Sequence, residues 1–236
     1  LFYTFKYPVA KNQHAILRLR QLVGQSLGYS IGSETPIIYG LDTQSWQKPA
    51  PLFEQFAEQA YWVFLHGTTW DTKLWPEKPW HQLLLAAEQQ NIHVMLPWGN
   101  DEEKQHALRM QALAEKETGK AFVWVPEKRL SLNDMAKALK HAQAVVSVDT
   151  GLSHVSAALE VPMVVLYRVT DPKLVGADGV QVTRLASPCA PKYLKKFDSK
   201  EQEAESLQGI GADDVLLALN KQIQNKQTQS TPLQVE

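Results

Sequence analysis

The chain has 236 residues, 44% of them hydrophobic and 21% charged, which suits one large globular domain that buries its apolar surface without metal or disulfide staples. Its 24 basic and 25 acidic side chains leave a net charge of -1, which argues against a nucleic-acid partner held by bulk charge. The single cysteine, Cys189, excludes an internal disulfide framework and a cysteine-built metal site and is consistent with a reducing compartment. No apolar run approaches the ~18 residues of a membrane span. Lys6 and Lys11 interrupt the start with no apolar stretch behind them, so no signal peptide is expected. The first residue is Leu1 rather than Met, which suggests the later part of a longer protein.

In chain order, Val9, Ile16, Leu19, Leu22, Val23 and Leu27 recur at helical spacing and predict a helix over 9–29, with Gly28 as its stop. Residues 30–35 read as a linker, 37–40 as a short strand, and 52–59 as a helix. Short apolar runs then fall at 61–66, 92–97, 122–125, 144–148 and 163–167. Helical patterns lie between or after them, at 79–90, 101–118, 131–141 and 153–159. Strands alternating with helices predict βαβ units, that is, an α/β fold with a parallel sheet covered by helices on both faces. Ser131 followed by Asp134 reads as a near capping box. A last amphipathic helix is expected over 212–224, with Val215, Leu216 and Leu219 as its apolar face, and the Gln-rich end 225–236 as a frayed tail.

Ligands of open parallel sheets bind beyond the carboxyl ends of the strands, so the loops after the apolar runs are the places to look. The first is His66-Gly67-Thr68-Thr69-Trp70-Asp71-Thr72-Lys73-Leu74-Trp75-Pro76. Gly67 permits close backbone approach, Thr68 and Thr69 bring hydroxyls, and Lys73 brings a mobile positive charge. Together they suit a phosphate-bearing ligand, although the loop lacks the Walker A spacing and equally reads as a polar loop with a surface lysine. The second is Val146-Ser147-Val148-Asp149-Thr150-Gly151-Leu152-Ser153-His154. A buried strand here runs straight into a helix, whose free N–H groups form an anion site. Asp149 at the strand tip can accept from sugar hydroxyls. The Asp-Thr-Gly string also occurs in aspartic proteases, but those need two copies in an all-β fold. His154, on the first helical turn, is either a structural hydrogen-bonding residue or an acid or base. The third loop is Leu96-Pro97-Trp98-Gly99-Asn100-Asp101-Glu102-Glu103; its acids either complement a helix dipole or accept both hydroxyls of a ribose. Cys189 reads as an inert thiol, and no His, Asp and Glu cluster has metal-ligand spacing.

These three motifs, in this order and spacing, resemble glycosyltransferase family 9. The opening is similar as well, at Lys6-Tyr7-Pro8-Val9-Ala10-Lys11, Gln13-His14-Ala15 and Leu27-Gly28-Tyr29, so the resemblance runs from Leu1 to about Asp171 and weakly over the last helix. It implies a GT-B fold, two Rossmann-like halves facing across a cleft. It also implies transfer of heptose from ADP-heptose to a Kdo residue of the lipopolysaccharide inner core (Kdo-lipid A as acceptor), inverting and metal-independent, with no cofactor. The enzyme would be cytoplasmic and peripheral on the inner membrane. By the same resemblance, residues 1–35 close the amino-terminal half and link it onward, 36–224 form the Rossmann-like donor-binding domain, and 225–236 are a flexible tail. The catalytic base belongs to the amino-terminal half, and nothing in this chain matches it.

Carried over by motif, Thr68, Thr69 and Lys73 hold the diphosphate, with Lys73 stabilising the leaving group. Thr150, Gly151 and Leu152 bind phosphate through the helix start, next to His154, and Asp149 accepts from the heptose. Glu103 takes the ribose, Trp98 lines the nucleotide pocket, Leu130 packs against the adenine, and Arg18 faces the anionic acceptor. Arg168-Val169 departs from the Gly-Pro usual in the family, and Trp70 stands where the residue is often basic, which weakens any expectation of a charge there. Two other readings fit the motifs: a family member with another acceptor, such as heptosyltransferase II, and a non-catalytic nucleotide-sugar-binding module.

Overall fold

A computed structural model of the chain describes residues 4–32, 35–56 and 59–230. The first helix, α1 (Ala15–Leu27), starts later than its apolar spacing predicts, because the His14 imidazole accepts from the Ile16 amide (3.3 Å) and sets the N-cap. It stops where expected, at Gly28, whose φ of 80° is left-handed. α1 presents Leu19 and Leu27 to solvent and is pinned to the main body by the Ala15 amide, which donates to Leu174 O (2.9 Å). Ser33 and Glu34 of the expected linker lie outside the described residues. The strand expected at 37–40 does not form. That segment is coil; Ile38 is 77% exposed, and Tyr39 is tied by its hydroxyl to Asp178 O (2.8 Å) rather than to a sheet edge. The helix expected at 52–59 is α2 (Ala50–Phe56); Ala57 and Glu58 lie outside the described residues.

The rest is a six-stranded sheet in the order β3-β2-β1-β4-β5-β6, every pair parallel. Its strands are β1 (Tyr61–Leu65), β2 (His93–Met95), β3 (Val123–Trp124), β4 (Ala144–Val148), β5 (Met163–Tyr167) and β6 (Val182–Ala186). The helices are α3 (Glu77–Gln89), α4 (Asp101–Thr118), α5 (Leu132–His141), α6 (Gly151–Ala158), α7 (Lys200–Glu205) and α8 (Ala212–Ser230). Every residue of β1, β4 and β5 is buried, because helices cover both faces. Strand alternation sorts β1 between two cores. Trp62 and Phe64 join Trp80, Leu84, Met110 and Leu219 on one face; Tyr61, Val63 and Leu65 join Phe56, Met135, Leu139 and Ala157 on the other.

Several bounds differ from expectation. β2 and β3 are shorter than their apolar runs, since near the sheet's margin only Val94–Val123 and Met95–Trp124 are in register. β6 carries no continuous apolar run and α7 is polar, so neither stands out in the sequence. α6 begins at Gly151, two residues before its apolar pattern. α8 runs through Ser230, into the segment expected to fray, with the Lys226 ammonium donating to Glu160 O (2.9 Å); residues 231–236 lie outside the described residues.

The strand order reverses between β1 and β4. The chain leaves β1 toward α3 on one face and leaves β4 toward α6 on the other, so a crevice opens where the two loops diverge.

Candidate functional site

Both motif loops rise from that crevice. The loop after β1 closes as a short 3-10 turn (Asp71–Lys73) and the loop after β4 runs directly into α6. Thr68 Oγ1 donates to Asp149 O (2.9 Å), locking one loop to the other. Lys73 Nζ then lies 2.8 Å from Asp149 Oδ2, with both side chains largely buried. The same oxygen accepts from Thr170 Oγ1 (2.7 Å), a buried hydroxyl just beyond β5. Thr69 is exposed at the loop's outer edge.

Thr150 is the N-cap of α6 in extended conformation, but its side chain makes no capping bond and the first turn carries no acid. A hypothetical Cβ on Gly151 would meet nothing within 4 Å. The helix start therefore offers backbone donors, a dipole and open space for an anion.

Beside it lies a cavity of about 370 Å³, in the range of small-molecule sites. Its walls include Gly67, Trp98, Glu103, Leu130, Thr150 and Leu152. Trp98 Nε1 donates to Pro126 O (2.7 Å), and Lys104 stands over its ring (4.6 Å), so the indole is fixed. Glu103 Oε2 accepts from Gly99 N (2.6 Å), and its carboxylate lies against Gly67 so closely that a Cβ there would overlap it. Asn100, the N-cap of α4, accepts from the Glu103 amide (2.8 Å) and sets the carboxylate on the first turn facing the cavity. Leu130 precedes the Ser131 cap of α5, where Ser131 Oγ accepts from Asp134 N (3.1 Å).

Lys73, Asp149, Thr68, Thr69, Gly151 and His154 do not line this cavity; Lys73, Asp149 and Thr68 join it through Thr150. His154 is exposed on α6, near His14, whose imidazole pKa is lowered chiefly by burial. Arg18 lies on α1, outside the cavity, its Nε buried without a partner among the described residues.

Behind the first loop, His66 is 1% exposed and its Nδ1 lies 3.0 Å from His106 Nδ1 on α4. Burial first, then His106, pushes the His66 imidazole down to about 3, and burial also lowers His106. A pair at this distance carries a single proton between the facing nitrogens, which suits it to holding the loop.

The chain departs from its motif pattern at two places, and the structure shows what fills them. Arg168 turns inward and is buried. Its Nε and Nη2 donate to Ser206 Oγ (3.2 and 2.7 Å), Nη1 donates to Leu74 O, and the guanidinium lies over Phe197 (5.0 Å). Val169 is fully buried beside it. Trp70 does not leave its spot uncharged: Lys73 and Lys195 both stand over its ring, at 4.6 and 5.2 Å. Cys189 is buried, and desolvation raises its thiol pKa, as an inert thiol requires.

The sequence profile of Glycosyltransferase family 9 (heptosyltransferase) matches residues 1–205. The chain belongs to glycosyltransferase family 9. Among curated family-9 relatives, lipopolysaccharide heptosyltransferase 1 of Pseudomonas aeruginosa is 45% identical over 197 residues, 83% of this chain and 51% of that protein. The chain thus spans about half the length of the curated relatives it matches. Among solved structures, E. coli heptosyltransferase WaaC with ADP superposes with a TM-score of 0.70 at 33% identity, covering 94% of this chain and 60% of the other. WaaC with ADP-2-deoxy-2-fluoro heptose gives 0.66 at 32%, covering 93% and 59%. The parallel α/β sheet is therefore that of a GT-B glycosyltransferase.

Family-9 motif residues reach the site from three loops, all found by reading past strand ends. From a fourth such loop, after β3, only Leu130 was expected; it also adds Pro126, Lys128 and Arg129 to the cavity wall, and the same strand-end rule applies to it. Thr170 and Lys195 carried no such signal, because their partners Asp149 and Trp70 are remote in sequence.

Proposed function

We propose that this chain is the donor-binding part of a heptosyltransferase that moves heptose from ADP-heptose to a Kdo residue of the lipopolysaccharide inner core. The observation that carries this reading is the Lys73–Asp149 pair, seated at the uncapped start of α6 and next to a cavity that presents Trp98, Glu103 and Leu130. In this reading adenine lies between Leu130 and Trp98, and Glu103 accepts from the ribose hydroxyls. The diphosphate meets the N–H groups of Gly151 and Leu152, the Thr68 and Thr69 hydroxyls and Lys73. Both observed contacts of the Asp149 carboxylate fall on Oδ2, and Oδ1 takes a heptose hydroxyl. Similarity to proteins named heptosyltransferase 1 at 41–45% identity favours that acceptor type over that of heptosyltransferase II.

The transfer is proposed as inverting and metal-independent. As the glycosidic bond breaks, negative charge grows on the departing ADP. Lys73 and the α6 dipole already face the place where it develops, so little reorganisation is needed. A base must take the proton of the attacking hydroxyl from the side opposite ADP. Lys73 and the α6 start are committed to the leaving group, so the base is proposed to come from the part of the relatives that this chain does not span, along with most of the acceptor surface that Arg18 faces. The proposed enzyme works in the cytoplasm, on the inner membrane surface.

Calorimetric titration with ADP-heptose, ADP and UDP tests the reading. Glu103 and the Leu130 pocket predict ADP binding at least ~10-fold tighter than UDP, ~1.4 kcal/mol. Equal affinities would remove it.

A further inference from the structure

The Lys73 turn is met by a second segment, residues 193–199, which follows a 3-10 turn at Ala190–Lys192. Two contacts fix it there. The buried Thr72 donates through Oγ1 to Leu194 O (2.7 Å), and Phe197 lies under the Arg168 guanidinium (5.0 Å). Between these tethers Lys195 is exposed, with its ammonium 5.2 Å from the Trp70 ring centre; Lys73 is 4.6 Å from the same centre. The two ammoniums therefore lie within about one Debye length of each other, ~10 Å at 0.1 M salt, close enough for one anion to feel both. Like charges held this close gain from a bound anion, and the indole face keeps each from swinging away.

The charge balance of the site says what the second ammonium is for. Lys73 is matched by Asp149 at 2.8 Å, so that pair contributes no net charge. In the neighbouring cavity Glu103 adds a negative charge, and Lys128 and Arg129 on the same wall add positive ones. A nucleoside diphosphate sugar brings two negative charges on its diphosphate, and beside the Lys73 turn itself the start of α6 offers about half an elementary charge. Among the described residues no ion pair involves Lys195, so its charge is not already spent on a carboxylate.

We propose that Lys195, held over Trp70 beside Lys73, is a second anion-binding residue of this site and takes the diphosphate of the donor and of the departing nucleotide. The proposal deepens the heptosyltransferase reading and rests on it for the donor's identity. Inorganic pyrophosphate probes the anion site without the nucleoside, and the ratio of ADP to UDP affinity tests the nucleotide reading separately.

The experiment is calorimetry on the 236-residue chain and its Lys195→Ala and Lys195→Arg variants, with pyrophosphate, ADP, UDP and adenosine. Lys195→Ala should weaken pyrophosphate and ADP about fivefold and leave adenosine unchanged, while Lys195→Arg stays within about twofold of the parent. The loss should shrink as salt is raised, as a charge effect must. Pyrophosphate binding unchanged in Lys195→Ala overturns the proposal, as does an equal loss for adenosine or a parent chain that does not bind pyrophosphate. A pyrophosphate loss with equal ADP and UDP affinities keeps the anion site and removes the heptosyltransferase reading instead.

Discussion

At the scale of single residues, Lys73 is held by two different forces, the carboxylate of Asp149 and the face of Trp70. Lys73→Ala removes a charge-assisted contact of ~1.5–3 kcal/mol and leaves Asp149 without its cation. In the complete enzyme turnover should fall more than donor affinity, because the charge matters most as ADP departs. Steady-state kinetics with ADP-heptose check this, and unchanged turnover would make Lys73 a bystander. His66 offers a test in stability. Its pKa is depressed to about 3 in the folded chain against 6.5 when exposed, so the unfolded chain takes up a proton that the folded chain refuses. Stability is therefore full above pH 6.5 and falls as pH drops below it, by ~2 kcal/mol at pH 5 from this residue alone. Urea denaturation at pH 7.5 and pH 5 should show the loss, and His66→Gln should flatten it; an equal slope in the variant would place the proton elsewhere. Lys73 and Asp149 were legible in the sequence as residues at strand ends, because each sits just past an apolar strand. The neutrality of His66 was not, since its partner His106 is forty positions away on another helix.

At the scale of elements, helix starts aim the site. Asn100 caps α4 and sets Glu103, Ser131 caps α5 and sets Leu130, and α6 starts without a side-chain cap. Ser131→Ala should cost ~1 kcal/mol in urea denaturation, the usual value of an N-cap. Because Leu130, Leu132 and Met135 all border the cavity, ADP affinity should drop in the same variant while pyrophosphate affinity does not. Equal losses for both ligands would mean that the cap supports the whole sheet rather than this wall. The central elements were readable because hydrophobic periodicity is strongest where both sheet faces are covered; the segments predicted for β4, β5 and α4 coincide with those observed. β6 was not readable, since it mixes exposed and half-buried residues and is held by its pairing with β5. The strand expected at 37–40 failed for the converse reason: its local pattern is strand-like, but no sheet edge takes it up.

At the scale of the whole molecule, the proposed donor site lies within this sheet, while the proposed reaction also needs a base and an acceptor surface of which Arg18 is the one proposed member among the described residues. The 236-residue chain should therefore bind ADP-heptose but transfer no heptose to Kdo-lipid A. Mass spectrometry of the acceptor reads this directly. Transfer by the chain alone would put the base within this sequence and undo the division of labour, whereas transfer on addition of the segment that completes the relatives' length would support it.

The sequence by itself determined the α/β class, the central strand ends with their motif loops, and the family, because apolar periodicity and short motifs are local properties of the chain. Only the tertiary structure decided the rest. It brought the loops after β1 and β4 together by reversing the strand order between them, turned Arg168 inward to Ser206 and Leu74, and carried Lys195 to the face of Trp70. Each of these joins residues far apart in the chain, and such contacts follow from how the two cores pack around the sheet, which no local pattern encodes.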